Sequence, residues 1–276
     1  MRLPETASLC PHEREGLVYY SFPAFDRLSF VRHGFSTRLG GVSEGIYASM
    51  NLGFTRGDDR SAVEENYRRI CAAMGVQPER VVLSAQTHTV NVENVTAADC
   101  GRGITRERGW TDVDGLITDE PGVVLCTHYA DCVPLFFVDP VRRVVATSHA
   151  GWRGTVGGIG AVTVERMVAD YGCRREDILA AIGPSIGRCC FEVDTPVYTE
   201  FAKLPFFDEA CYVPKGGDKC HIDLWEVNRR FMLESGIKAE NITVTDLCTR
   251  CRPDVFWSHR ATGGQRGSLA AFIALV

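Results

Sequence analysis

Apolar positions recur along this chain in two rhythms, one near 3.6 residues and one of short continuous runs. Between residues 61 and 75, Val63, Tyr67, Ile70 and Met74 fall three or four apart before Gly75, and Ser61 and Glu64 have the spacing of a capping box. That pattern predicts a helix. Val81 to Ser84 reads as a short buried strand. The runs at 123–130, 133–139 and 143–150 are apolar and separated by tight turns, so they are expected to be central strands of one sheet. Beyond the glycines at 151–160, Val164, Met167, Val168 and Tyr171 form a helical stripe closed by Gly172, followed by a strand at 178–182. Asp223 with Glu226 caps a further helix through Glu234, with Leu224, Val227 and Phe231 inward, and SLAAFIALV reads as a last buried strand. Strands and helices do not alternate as in a doubly wound fold. The expected class is therefore α/β, a layered arrangement with a mixed β-sheet flanked by helices. No repeat, low-complexity tract or Pro/Ser-rich linker marks a boundary, so one domain is expected over 1–276.

Composition narrows the function. With 45% apolar residues over 276 positions the chain can fill a sizeable core. Thirty Lys+Arg against 35 Asp+Glu give a net charge of −5, which offers no broad basic field for nucleic acid. No stretch approaches the roughly 20 apolar residues of a membrane span, and the first ten residues lack a signal-type apolar run, so a cytoplasmic location is expected. Twelve cysteines diluted over this length, without a secretion signal, are expected to be reduced.

Three residues occupy positions suited to chemistry. His88 ends the polar triplet QTH just after a strand, His149 opens the glycine-flanked HAGWRG turn, and Cys132 lies between two apolar runs. Two imidazoles and a thiolate suit a borderline-soft ion, and three protein ligands leave a fourth tetrahedral position open. A zinc site of that kind lowers the pKa of a water to about 7 and polarises substrate oxygens at neutral pH.

Seven blocks of this chain bear a resemblance: HGFSTRLGGVSEGIYASMNLG at 33–53, QTH at 86–88, DGLITDEPGVVL at 114–125, ADCVPLFFVDP at 130–140, SHAGWRGTVGGI at 148–159, IGPSIGRCCFEV at 182–193 and FWSHRATGGQRG at 256–267. Together they resemble the YfiH family, also described as multicopper polyphenol oxidase (laccase)-like, as purine nucleoside phosphorylase of the LACC1 type, and as peptidoglycan editing factors. The resemblance implies a layered α/β fold related to that of cytotoxic necrotizing factor, and a metal held by His88, Cys132 and His149. It also implies phosphorolysis of adenosine, inosine or 5′-methylthioadenosine, with adenosine deamination beside it. The cofactor expected is zinc, with copper possible, and the partners are a purine nucleoside and phosphate. Nucleic acid and membrane are not expected, and the oligomeric state is open.

That chemistry needs an anion cradle. Arg38 in STRLGG, Arg153 in HAGWRG and Arg260 in SHRATGG adjoin glycine-rich turns, where a guanidinium can meet an oxyanion in bidentate fashion. The segment around Arg260 and Arg266 departs from the family's usual ending. Asn51 is a candidate for a ribose hydroxyl or base edge, and Asp131 for a catalytic proton shuttle or an orienting partner of Cys132. Trp152 and Phe35 are stacking candidates, His33 is a candidate for the pocket, and His128 is expected to be structural or to support the site. His12, His221 and His259 have no supporting neighbours. Cys248-x-x-Cys251 lacks a second CxxC for a zinc ribbon, and Cys211 and Cys220 do not supply one. It is expected, with Cys189-Cys190, to be structural or incidental.

Three other readings compete. A copper polyphenol oxidase of the multicopper kind needs many histidines, commonly in HxH pairs, and this chain has seven and no such pair. A cysteine hydrolase would use Cys132 as nucleophile and His149 as base. A binding module acting on cell-wall precursors would carry only a structural metal.

Overall fold

The computed structural model describes residues 3–276. The apolar runs build two six-stranded sheets that pack face to face. Across the first, the order is Cys10–Arg14, Leu17–Ser21, Val31–Ser36, Leu269–Leu275, Val124–Tyr129 and Val81–Leu83, antiparallel except for the last pair. Across the second it is Ile242–Val244, Leu179–Ile182, Val133–Asp139, Val144–Ala150, Gly115–Thr118 and Val92–Asn94, parallel at both edges. A small antiparallel sheet of Glu192–Asp194, Lys219–Ile222 and Tyr212–Gly216 lies beside them.

The class is α/β with mixed sheets, as expected, but the three central runs do not share one sheet. Val133–Asp139 and Val144–Ala150 are hairpin partners, whereas Val124–Tyr129 belongs to the opposite sheet. The chain crosses between sheets at Ala130–Cys132, turning through Asp131 at φ 84°. Each of these strands is covered on both faces, which erases the polar alternation that would have told one sheet from two. The alternation survives as a division between cores. Along Leu269–Leu275, residues 269, 271, 273 and 275 fill the space between the sheets, while 270, 272 and 274 pack against the helix Arg60–Met74. Along Val133–Asp139, Phe136 and Val138 point between the sheets, and Val133, Leu135 and Phe137 face the helices Ile159–Tyr171 and Leu224–Glu234. The result is four layers, helix, sheet, sheet, helix.

The helix Arg60–Met74 starts one residue earlier than the capping-box reading. Asp59 is its N-cap, accepting from the Ser61 N–H and hydroxyl, while Glu64 pairs with Arg60 across one turn. An acidic cap with two donors at the second position leaves Ser61 inside the helix. Gly75 (φ 71°) and Gly172 (φ 66°) end their helices in the left-handed region, and Asp223 caps the third through the Trp225 and Glu226 N–H groups. No described helix is long and apolar enough to cross a membrane.

The two cysteine pairs, expected to be structural or incidental, lie together. The partner of Cys248 and Cys251 is the vicinal pair Cys189-Cys190, brought close because their loops extend from adjacent parallel strands.

Two buried histidines make stability depend on pH. Burial pushes His33 down to about 4 against the pull of Asp26, and its Nε2 accepts from the Phe22 N–H. Burial, then Arg108, pushes His128 down to about 3. Both stay neutral in the fold while the unfolded chain takes up protons near pH 6.5. Their stabilisation is thus complete above about pH 6.5 and is lost as pH falls towards the folded values, by about 3 kcal/mol for His33 alone. Thermal midpoints should fall steadily from pH 7 to 4. In His33→Gln, which keeps an acceptor for Phe22, that fall should be shallower; an unchanged slope would contradict the assignment.

Candidate metal centre and substrate cleft

The crossing at Ala130–Cys132 delivers Cys132 to the end of the sandwich. Its register neighbours place His149 opposite Pro134 on the adjoining strand, and the edge strand Val81–Leu83 of the other sheet leads by a short loop to His88. One ligand atom from each of His88, Cys132 and His149 lies within 4.8 Å of the others, with Cys132 Sγ 4.0 Å from His88 Nε2. The fit is close enough to require a glycine: a Cβ at Gly151 would stand 2.5 Å from His88 Cδ2 and 3.3 Å from Cys132 Sγ.

Asp114 organises this trio. It is buried and accepts from the backbone N–H groups of Thr87, His88 and Thr89, from the Thr89 hydroxyl, and from His149 Nδ1 at 2.8 Å. The loop carrying His88 is wrapped around one carboxylate, with His88 itself at φ 69°. The same carboxylate fixes the proton on His149 Nδ1 and turns Nε2 towards Cys132. Burial favours protonating Asp114, but its hydrogen bonds from His149 and Thr87 outweigh this and hold it near 2. Burial likewise opposes charge on Cys132 and His149. Their mutual attraction wins, helped by Asp114 and His88, bringing the thiol down to about 6 and the imidazole up to about 9. A thiolate and an imidazolium therefore face each other at neutral pH, and a divalent cation would replace the proton between them.

Nothing in the sequence singled out Asp114, although it opens one of the resemblance blocks; the signal would have been a carboxylate at a strand start beside a metal-type histidine. Asp114→Asn should weaken metal binding about 10–100-fold, because the amide must turn an N–H either against His149 Nδ1 or against the Thr87 and Thr89 N–H groups. Competition against a chromophoric chelator measures it, and an affinity equal to wild type would remove Asp114 from the site.

The trio opens on a cleft of about 500 Å³ lined in part by Trp152, Phe191, His259, Arg260, Arg56 and Arg266, continuous through shared residues with a smaller one of about 160 Å³ that adds His128 and Arg108. The larger volume suits a small organic ligand. Arg266 is 8% exposed, donates to the Gly267 carbonyl and the Ser268 hydroxyl, and keeps a buried Nε with no partner among the described residues. Burial and then Arg56 lower its pKa to about 10, so it is still cationic. An unpaired guanidinium N–H beside two further arginines is a place for an anion.

The other candidates divide. Arg260 lines the cleft, with its Nη1 donating to the Glu192 carbonyl. Trp152 lies on the cleft wall, but Arg153 is exposed and folds over the Trp152 ring at 4.3 Å, away from the trio. Arg38 is not brought to the cleft: its guanidinium donates to the Ala48 and Pro253 carbonyls and stacks 3.8 Å over Trp257. Asn51 is fully buried, its oxygen accepting from Gly53 and Ser268 N–H and its amide donating to Asp58, so it shapes the loop instead of meeting a ligand. Asp131, the expected proton shuttle, accepts from the Thr249 and Ser258 hydroxyls and the Arg260 N–H. Its carboxylate is occupied in holding the C-terminal loop. Phe35 is sealed between the sheets, and His33 lies far along the first sheet, among Phe22, Phe25 and Asp26. His128 supports the wall, bonded through Nε2 to the Tyr67 hydroxyl. His259, unremarkable in sequence, reaches the cleft.

The fold and family are matched among known proteins. A family model described as multi-copper polyphenol oxidoreductase laccase matches residues 32–276. The Bacillus subtilis (strain 168) protein named purine nucleoside phosphorylase YlmD is 37% identical over 88% of this chain and 87% of its own length. A protein named adenosine deaminase RL5, from an unknown prokaryotic organism, is 38% identical over 88% of this chain and 95% of its own. The crystal structure of Bacillus licheniformis YfiH superposes with a TM-score of 0.90 at 33% identity, covering 96% of this chain and 98% of that one.

Proposed function

Because the chain belongs to the YfiH family, whose model is described as multi-copper polyphenol oxidoreductase laccase, we propose that it is a zinc-dependent purine nucleoside phosphorylase acting on adenosine, inosine and related nucleosides. The observation that carries this reading is the convergence of a three-ligand donor set and an unpaired buried guanidinium on one cleft. Two imidazoles and a thiolate fit one borderline-soft ion. A multicopper cluster would need more imidazoles, and of the other cleft histidines His128 is bonded to Tyr67.

In this reading Arg266, with Arg56 and Arg108 beside it, binds phosphate and aims an oxygen at the ribose C1′. The bond from C1′ to the purine nitrogen breaks as the bond to phosphate oxygen forms. Trp152 and Phe191 offer apolar surface for the base. Asp114 keeps His149 in the tautomer that presents Nε2, and Cys132 holds its charge at neutral pH. The ion, when bound, supplies Lewis acidity to neutralise charge on the departing base or to activate water. Adenosine deamination needs that same Lewis acidity and no phosphate, which accounts for a relative bearing that name.

The test is incubation of adenosine or inosine with phosphate, with and without a chelator. Free base and ribose 1-phosphate that disappear on chelation and return with zinc are expected. Phenol oxidation restored by copper, with no nucleoside cleavage, would overturn the proposal in favour of the laccase label.

A further inference from the structure

A second group of metal-type ligands lies outside this cleft. The sulfurs of Cys189, Cys190, Cys248 and Cys251 all fall within 4.8 Å of one another. Cys251 Sγ is 3.5 Å from Cys189 Sγ and 3.4 Å from Cys190 Sγ. A disulfide would bring two sulfurs to about 2.05 Å. Four sulfurs placed tetrahedrally at the Zn–S distance of about 2.3 Å stand roughly 3.8 Å apart. The observed spacings match the cage and not the covalent bond.

The arrangement is built into the fold. Leu179–Ile182 and Ile242–Val244 run parallel side by side, and the loops leaving them stay paired: Ser185 bridges Cys248, and the Thr249 N–H donates to the Ser185 carbonyl. One loop supplies the vicinal pair and the other the CxxC. Donors already point at the sulfurs, the Gly187 N–H to Cys248 Sγ at 3.2 Å and Arg250 Nη1 to Cys190 Sγ at 3.3 Å. Four thiolates around a dication carry a net charge of −2, which these donors offset. Cys189 and Cys251 are exposed, so apolar filling of a core does not explain their presence beside buried Cys190 and Cys248.

We propose that these four cysteines bind a zinc ion of purely structural role, distinct from the ion of the cleft. Each thiol releases its proton to solvent on binding, and four protein ligands leave no open position. The ion clamps the wall of the cleft. Ile186 and Phe191 flank the vicinal cysteines and line it, and Thr249, between Cys248 and Cys251, donates to Asp131, the neighbour of Cys132.

The deciding experiment uses the full chain, purified reduced. Metal analysis should give two zinc ions per chain, falling to one in Cys132→Ala and to one in the double variant Cys248→Ser/Cys251→Ser. After cobalt exchange, Cys132→Ala should keep intense thiolate-to-cobalt charge-transfer absorption, which the four-cysteine site supplies once the cleft has no thiolate; the double variant should lose most of it. Cys132→Ala without this absorption would overturn the proposal whether or not the double variant folds. So would an intact mass showing these cysteines as disulfides. Both readouts are independent of whether nucleoside cleavage is the reaction of the cleft.

Discussion

Replacing His149 by alanine should reduce phosphorolysis of adenosine at least about 1,000-fold, the equivalent of some 4 kcal/mol of transition-state stabilisation and within what a bound Lewis acid contributes. Three effects coincide. One of three ligands disappears, so zinc content should drop by one ion per chain. Asp114 loses the imidazole that takes up its Oδ1 and becomes a buried carboxylate facing a gap. Cys132 loses the neighbour that most strongly favours its thiolate, so its thiol pKa should rise from about 6. Steady-state kinetics, metal analysis and the pH dependence of alkylation read these three separately. A variant that loses zinc but keeps its rate would show that the metal does not serve catalysis. Zinc content unchanged from wild type would show that the ligand set is wrong.

Arg266→Ala separates the two activities. With phosphate as nucleophile, kcat/KM should fall about 100- to 1,000-fold, the usual cost of removing one well-placed donor from a site of developing charge. Adenosine deamination, whose nucleophile is water, should change only a few-fold. Arg266→Lys should not restore phosphorolysis, because an ammonium cannot supply both the Nη1 contacts to Gly267 and Ser268 and the free Nε. Equal losses in both activities would assign Arg266 to packing alone.

The convergence of His88, Cys132 and His149 was legible because two of them sit in long blocks with their own turn chemistry and the third ends the QTH triplet, and strand ends deliver such residues to the surface of a sandwich. Its supports were not. Asp114 gathers five donors, four from one loop, and no local pattern distinguishes such a carboxylate from a turn residue. Arg38 and Asn51 stand in the first block, yet both are consumed in building the loop behind the cleft, while Arg56 and Arg108 approach it from segments with no motif. The two-sheet arrangement was hidden for a related reason. A strand buried on both faces shows an unbroken apolar run and does not disclose what lies on either side. That the two cysteine pairs join was not legible because they are 58 residues apart, from Cys190 to Cys248, and meet only through strand pairing.

The crossing at Ala130–Cys132 also sets an order of events. His149 and Cys132 meet as soon as the hairpin of Val133–Asp139 and Val144–Ala150 zips, a local step. His88 joins them when Val81–Leu83 pairs with Val124–Tyr129 and the loop 87–89 closes on Asp114, contacts between more distant parts of the chain. All three donors and Asp114 therefore come from 62 consecutive residues, 88–149, so the donor set is complete in a stretch that the C-terminal strand Leu269–Leu275 does not enter.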